Sequence, residues 1–354
     1  MNSTRGPTLA VVGATGAVGG ELLRILATRA DVWGEIRLLA GTGSTGRHLG
    51  AYGIETEVVA LSEAALEDVD VAMFCVPAAV SAHWAPVAVA AGAVVLDSSA
   101  AFRMDPAVPL VVPEVNPGQI RNRPKGIVAS PGGISATMLD AVGSLHRGWG
   151  LRALVLASYQ AASGAGKAGI ERLYDEIEVA AANRGLGTWA GDVRQTSTDK
   201  LGESWPFGAP LALNVVPWAG SAATNGWSSE ELEIRDELRK VLDIAQLKVS
   251  ATCVRVPVVT THSVAVHVTF ERAVSVGEAR RALVEAPSVV VIDDPAAGEF
   301  PTPADAVGCN PTFVGRIRQA LDFPDTLELF LCGDNLRKGS ALNLAQIGER
   351  VTAE

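Results

Sequence analysis

Three glycines near the N-terminus carry the most specific chemical signal in the chain. VVGATGAVGGELL places Gly13, Gly16 and Gly19 in a G-x-x-G-x-x-G pattern, after an apolar run and before residues at helical spacing. Glycines in that setting let backbone amides approach a pyrophosphate, whose charge a helix N-terminus favours. Thr15, Ala17 and Val18 share the turn. The implied chemistry is dinucleotide binding. The next strand leads into GTGSTGRHLG, which has no Asp or Glu where an NAD-selective protein grips the ribose 2′-hydroxyl. Ser44, Thr45 and Arg47 are placed to meet a 2′-phosphate instead, so NADP (NADPH) is the expected cofactor. The alternative for Arg47 is a solvated loop residue.

A second stretch, GIVASPGGISATM, runs an apolar strand into Ser-Pro-Gly-Gly and then into a helix-like segment. Turns of this kind present reactive side chains in many α/β enzymes, yet Gly132 and Gly133 present none. They form either a flexible turn or, through their amides, an anion-binding nest at a helix start. Further along, Arg255 and His262 sit at strand ends one turn apart and face the same end of an expected hairpin. On residues alone, His262 is as well explained as a satisfied turn histidine. Glu230, Glu231 and Glu233 open a helix in which Ser228 and Glu231 make a capping box, and acidic residues there complement the helix dipole. Arg103 is an ion-pair candidate for Asp97 or Asp105.

These residues need a scaffold, and the hydrophobic pattern supplies one. TLAVVGA, EIRLLA, DVAMFCV and AVVLDSS are short, continuous apolar strands separated by helical segments such as AVSAHWAPVAVAAG. That alternation predicts a Rossmann-type, doubly wound parallel sheet in the N-terminal third. LRALVLASYQAAS, KVSATCVRVPVVTTHSVAVHVTFER and TLELFLCGDN are longer and more alternating, which predicts an α+β domain with a mostly antiparallel sheet. NLRKGSALNLAQIGERVT reads as a terminal helix, and Ala182–Pro210 as a long irregular loop.

The bulk composition narrows the class. With 354 residues, 48% of them hydrophobic, the chain suits two ordinary domains with sizeable cores. A net charge of −10 argues against nucleic acid and anionic membrane as partners. Cys75, Cys253, Cys309 and Cys332 are scattered without metal-ligand spacing, which suggests a reduced protein without structural zinc. No signal-peptide pattern or membrane-length apolar run is visible. A cytoplasmic protein without a metal is expected.

VVLDSSAAFRMDPAVPLVVPEVNP resembles the aspartate-semialdehyde dehydrogenase family. The likeness continues in order through SYQAASGAGKAGIERL, LALNVVPWAG, VSATCVRVPVVTTHS, PTPADAVGCNPTFVGRIR and DNLRKGSALNLAQIGE. The resemblance implies a homodimer, sometimes a tetramer, paired through the C-terminal domain. It also implies NADP-dependent interconversion of aspartyl phosphate and aspartate semialdehyde through a cysteine thioester. By position, Gln160 matches the glutamine that orients the reacting groups, and His262 the acid/base histidine. Arg255 matches the arginine that holds the substrate carboxylate, Arg103 that of the phosphate pocket, and Glu230 the glutamate that meets the substrate amino group. Gly164 and Asn335 fall at cofactor-contact positions. The implied domains are 1–131 with 334–354 for NADP, and 132–333 for substrate and dimerisation.

Three positions depart from the family pattern. Gly132-Gly133 stands where the family has Asn-Cys, Glu233 replaces a lysine, and an arginine of the ribose loop is replaced near Gly43. A thioester cannot form on glycine. The first expectation is therefore a thiol-independent oxidoreductase acting on the carbonyl or imine of a small amino or carboxylic acid, with His262 as proton donor. The second is a catalytically silent homologue acting as a binding or structural partner. The third is aspartate-semialdehyde dehydrogenase proper.

Overall fold

The computed structural model describes residues 6–29, 32–51 and 53–354. By compactness the chain divides into one unit of residues 1–139, 237–245 and 336–354, and another of 140–236 and 246–335. The first seven residues of the helix that begins at Gly133 therefore fall in the first unit, as does the stretch from Glu237 to Ala245.

In the first unit, the apolar runs form β1 (Thr8–Val12), β2 (Glu35–Ala40), β3 (His48–Ala51), β4 (Ile54–Ala60), β5 (Val71–Phe74), β6 (Val94–Asp97) and β7 (Ile127–Ala129). They build a seven-stranded sheet in the order β3-β4-β2-β1-β5-β6-β7. Every pairing is parallel except β3 with β4. Leu9–Val12 is wholly buried, as a strand covered on both faces must be. The chain leaves β1 toward β2 on one side and β5 on the other, so the strand order reverses at the C-terminal end of β1. That is where open α/β sheets bind ligands. Helix α1 (Ala17–Leu26) follows β1, and α2 (Ala78–Ala90) follows β5. The last three residues of the expected ribose loop, His48 to Gly50, belong to strand β3 rather than to a loop.

The second unit carries β8 (Leu151–Gln160), β9 (Lys248–Arg255), β10 (His262–Phe270), β11 (Val289–Val291), β12 (Thr312–Gln319) and β13 (Thr326–Gly333), in the order β11-β12-β13-β10-β8-β9. Strands β8, β10, β12 and β13 pair antiparallel, whereas β9 and β11 join the two edges in parallel. One face is buried through Leu154, Leu156, Val264, Val266 and Leu329. The other is open: Val155 is 54% and Tyr159 38% exposed, with Tyr159 against Phe330 at 6.1 Å between ring centroids.

Two expectations are corrected here. KVSATCVRVPVVTTHSVAVHVTFER is not a hairpin, because β8 lies between β9 and β10. The connection crosses the end of β8 and bonds to it, Val256 N–H to the Gln160 carbonyl and Ala162 N–H to the Val258 carbonyl. Ala182–Pro210 is not wholly irregular either, since it contains a helix at Asp192–Leu201. The Asp192 carboxylate accepts the N–H groups of Gly187, Thr188 and Trp189 and so organises the turn before that helix. The remaining helices used below are α3 (Gly133–Trp149), one at Ser229–Leu242 and, at the C-terminus, Leu342–Thr352, whose Leu342, Leu344 and Ile347 enter the first unit's core. Among the described residues no helix is long and apolar enough to cross a membrane.

Candidate active site

At the end of β1, Gly13 turns the chain with φ +87° while its N–H bonds the Leu39 carbonyl at 2.8 Å. A Cβ there would stand 2.3 Å from the Cys75 carbonyl oxygen, so only glycine fits. Gly19 is required for another reason: a Cβ would lie 2.2 Å from the Gly13 carbonyl oxygen, where α1 packs on the turn. Gly16 begins α1 without a side-chain cap, so the helix end keeps its amides for an anion. Ala17 and Val18 lie in the first turn, and Val18 packs against the core. The cleft beside this turn is about 420 Å³, lined by Gly13, Thr15, Gly16, Gly41, Thr42 and Trp84 among others. Thr15 Oγ1 donates to Ser44 Oγ at 3.3 Å, and Thr45 and Arg47 are exposed on the same loop. The cradle fits a dinucleotide: tight glycines, an uncapped helix start, and no carboxylate in the loop from Gly41 to Arg47. Trp84 was not singled out in the sequence because it belongs to α2, a long way along the chain from the glycines.

Gly132 lies between β7 and α3, and Gly133 opens α3, both within the first unit. Neither offers a side chain. The Gly132 N–H donates to Glu237 Oε2 at 3.0 Å, and Glu237 Oε1 accepts Arg103 Nη1 at 2.9 Å. Arg103 also donates from Nε to the Ser130 carbonyl at 3.0 Å and from Nη2 to the Ser98 carbonyl at 2.7 Å. Its ion pair is with Glu237, and its charge also acts on the Asp97 carboxylate. Asp97 is held by the hydroxyls of Ser81 and Ser99, and burial pushes its carboxyl above the usual range. Asp105 accepts from Lys125. Ser130 Oγ accepts Asn343 Nδ2 at 2.8 Å, and Ser135 Oγ is buried with no hydrogen bond among the described residues. Glu237 was passed over in favour of Glu230, Glu231 and Glu233, because its partners lie more than a hundred residues away.

The four cysteines stand at other positions of the chain than this turn. Burial pushes Cys75 up to about 12, Cys253 up to about 12 and Cys332 up to about 11. Cys309 is partly buried beside Asp305. All four are free, and among the described residues no group of three or more His, Cys, Asp or Glu is placed to hold a metal ion.

The second unit gathers the other candidates at one end of its sheet. Gln160 and Arg255 pair in register between β8 and β9, and His262 stands one step beyond the Ser263–Tyr159 pair of β10 and β8. Pleating places all three on the buried face. His262, 4% exposed, accepts the Ala161 N–H on Nδ1 at 3.0 Å. Burial, and secondarily the Arg255 charge, hold its pKa well below the ordinary histidine value. Arg255, 8% exposed, donates to the Ala161 carbonyl at 3.2 Å and meets Glu230 Oε2 at 3.5 Å. Glu231 completes the capping box with Ser228 and accepts the Cys253 N–H at 3.0 Å.

Two expected cofactor contacts serve the scaffold in this unit. A Cβ on Gly164 would lie 2.2 Å from Arg255 Nη1, so this glycine makes room for the guanidinium. Asn335 Oδ1 accepts the Thr261 N–H at 2.9 Å and the Ser163 hydroxyl at 3.0 Å. Ser158 and Thr261 were not foreseen. Ser158 Oγ accepts Gln160 Nε2 at 3.1 Å, leaving Gln160 Oε1 buried with no hydrogen bond among the described residues. Thr261 has φ +88° and a buried Oγ1 likewise without one.

Residues 8–123 match the NAD-binding domain of semialdehyde dehydrogenases, and residues 142–338 match that family's dimerisation domain. The aspartate-semialdehyde dehydrogenase of Streptomyces akiyoshiensis is 41% identical over 349 residues, covering 97% of this chain and 98% of the relative. The chain belongs to the aspartate-semialdehyde dehydrogenase family. The Bacillus subtilis aspartate-semialdehyde dehydrogenase is 37% identical over 346 residues, covering 98% of this chain and 97% of its own length. Among solved structures, Vibrio cholerae aspartate semialdehyde dehydrogenase II complexed with ASA has a TM-score of 0.91 at 32% identity, with 99% of each chain covered. The Candida albicans family member, solved with NADP, shares the fold at a TM-score of 0.69 and 20% identity, over 98% of this chain and 99% of its own.

Proposed function

We propose that this chain is an NADP(H)-dependent oxidoreductase that moves hydride directly to or from the carbonyl or imine carbon of a small amino or carboxylic acid, without a thiol. One observation carries the reading: Gly132-Gly133 stands at the strand-to-helix turn where the family resemblance places Asn-Cys, while Cys253 and Cys332 are buried and they and the partly buried Cys75 are held protonated. Bound nicotinamide supplies or accepts the hydride. Gly13, Gly16 and Gly19, with Thr15 and the first-turn amides of Ala17 and Val18, receive the pyrophosphate, and Ser44, Thr45 and Arg47 the 2′-phosphate. Gly164 and Asn335 stand at positions where the family resemblance implies cofactor contacts. Arg255 takes the substrate carboxylate, for which its planar fork is suited. Glu230 takes an amino group, Gln160 offers an acceptor oxygen, and His262 polarises the reacting bond. Arg103, already engaged by Glu237, keeps the glycine turn in shape and does not recruit phosphate. Glu233, in place of the family's lysine, also opposes phosphate.

The first unit thus serves the cofactor and the second serves the substrate and a homodimer, formed through the open face around Val155, Tyr159 and Phe330. We place the protein in the cytoplasm. A second reading, phosphorylating aspartate-semialdehyde dehydrogenase, is favoured by the identity of 37–41% to enzymes of that name.

Nicotinamide fluorescence with NADPH, using NADH as control, is paired with a phosphate-dependent assay on aspartate semialdehyde. NADPH-selective binding without turnover supports the proposal. Turnover that is lost in His262→Ala replaces it with the second reading. Binding of neither cofactor removes hydride transfer and leaves a binding or structural partner.

A further inference from the structure

The peptide group between Gln160 and Ala161 is pinned at both ends. Its carbonyl accepts the Val256 N–H at 3.0 Å, and its N–H donates to His262 Nδ1 at 3.0 Å. The neighbouring Ala161 carbonyl is held by Arg255, and the Ala162 N–H by Val258. Ala161 is fully buried, so its amide cannot turn away. An Nδ1 that accepts an N–H cannot carry a proton itself, since two hydrogens would then point at each other across that contact. The neutral ring must therefore bear its proton on Nε2.

We propose that His262 is a permanently neutral Nε2–H donor, a hydrogen-bond anchor for an acceptor atom at the reacting centre, and not a proton shuttle. The ionisable groups at this end of the sheet agree with that role. Arg255 on β9 faces the ring and opposes a second positive charge. Glu230, from the helix Ser229–Leu242, is turned toward Arg255, and the Asp334 carboxylate beyond β13 accepts the Gly308 N–H. Cys253 and Cys332 are held protonated.

The consequence is a substrate class, and this half of the inference rests on the oxidoreductase reading above. A fixed donor favours a reacting atom with a lone pair: a carbonyl oxygen, or the nitrogen of a neutral imine. It refuses an iminium ion, which offers only an N–H. When a carbonyl carbon accepts hydride, the C–O π pair moves to oxygen, the Nε2–H stabilises the developing charge, and water supplies the proton, leaving hydroxide to solvent. A neutral imidazole can act electrophilically in this way.

The tautomer is tested on the whole protein labelled with 15N-histidine. His48, His83 and His267 are exposed and can be replaced by glutamine, which leaves only His146 and His262 to separate. His146 Nδ1 also accepts an N–H, from Leu151 at 3.1 Å, so the His262 signal is the one that a His262→Gln variant lacks. It is expected to show an unprotonated Nδ1 and a protonated Nε2, unchanged from about pH 5.5 to about pH 8.5, the range in which histidines titrate. A His262 ring that titrates in this range, or that carries its proton on Nδ1, overturns the proposal. The experiment needs no turnover, so loss of the oxidoreductase reading, detected by cofactor binding, is distinguishable from loss of the tautomer.

Discussion

Glu237 and Arg103 form a buried ion pair at 2.9 Å, and the second oxygen of the same carboxylate takes the Gly132 N–H. Removing one partner strands the other charge away from water. Arg103→Met should therefore cost about 3 kcal/mol or more. Arg103→Met with Glu237→Leu should recover part of that loss while still giving up the Gly132 hydrogen bond, worth about 1 kcal/mol. Urea melts of the four proteins make the cycle, and strictly additive losses would contradict a coupled pair.

His262 makes stability depend on pH in a definite direction. The unfolded chain binds a proton at this residue near the ordinary value of about 6.5, whereas the buried native ring does not. The unfolded state thus holds more protons below that pH. This component is absent at neutral pH and destabilises the fold as pH drops, by about 1.4 kcal/mol per unit until the native value is reached. Between pH 7 and 5 the wild type should lose more stability than His262→Gln. Parallel losses in denaturant titrations would refute the buried neutral ring.

Thiol labelling separates the thiol-independent reading from a relocated nucleophile. At pH 8 an alkylating reagent should modify Cys309 and leave the buried Cys253 and Cys332, and Cys75 with its thiol pushed up to about 12, untouched until the protein is unfolded. Gly133→Cys should add a reactive thiol, detectable by mass spectrometry. Rapid modification of Cys75 or Cys253 in the native protein would reopen a cysteine mechanism.

The glycines of the cofactor turn differ sharply in what they tolerate. Gly19→Ala drives a methyl into the Gly13 carbonyl and should cost about 1–3 kcal/mol together with NADPH binding. Gly20→Ala, one residue further, meets open space and should be stabilising by about 0.5–1 kcal/mol with binding intact. Thermal melts and nicotinamide fluorescence on the same samples decide it. Equal behaviour of the two variants would mean that the turn is not tight.

The open sheet face offers a test of assembly. Sedimentation of the wild type should show a dimer, and Val155→Asp with Tyr159→Asp should give a folded monomer. A monomeric wild type, or a dimer unmoved by both charges, would assign the interface elsewhere.

Much of this was legible in the residues because it is local. Leu9–Val12 followed by Gly13 announces a buried strand and a phosphate turn through side-chain type alone. Gln160, Arg255 and His262 were located through blocks that resemble a family. The position of β8 between β9 and β10 was not, because VRVPVVTTHS reads equally well as a hairpin and strand order is set by contacts far along the chain. Glu237 escaped notice for the same reason. So did the helix at Asp192–Leu201, whose start depends on one carboxylate gathering several amides and not on an apolar stripe.

The crossing of β8 by the segment from Val256 to Thr261 bears on how the molecule comes to exist at all. Ala161 meets Arg255 across 94 positions of sequence and His262 across 101. A nascent chain that closed β9 directly onto β10 would satisfy the nearer and cheaper pairing, because short loops form faster than long ones. It would then have to reopen to admit β8. The groups at this end of the sheet are thus brought together by a non-local step, and a protein trapped in the premature hairpin would keep its secondary structure while losing the register of Gln160 with Arg255. Refolding yield, more than equilibrium stability, is where mutations in this short segment should tell.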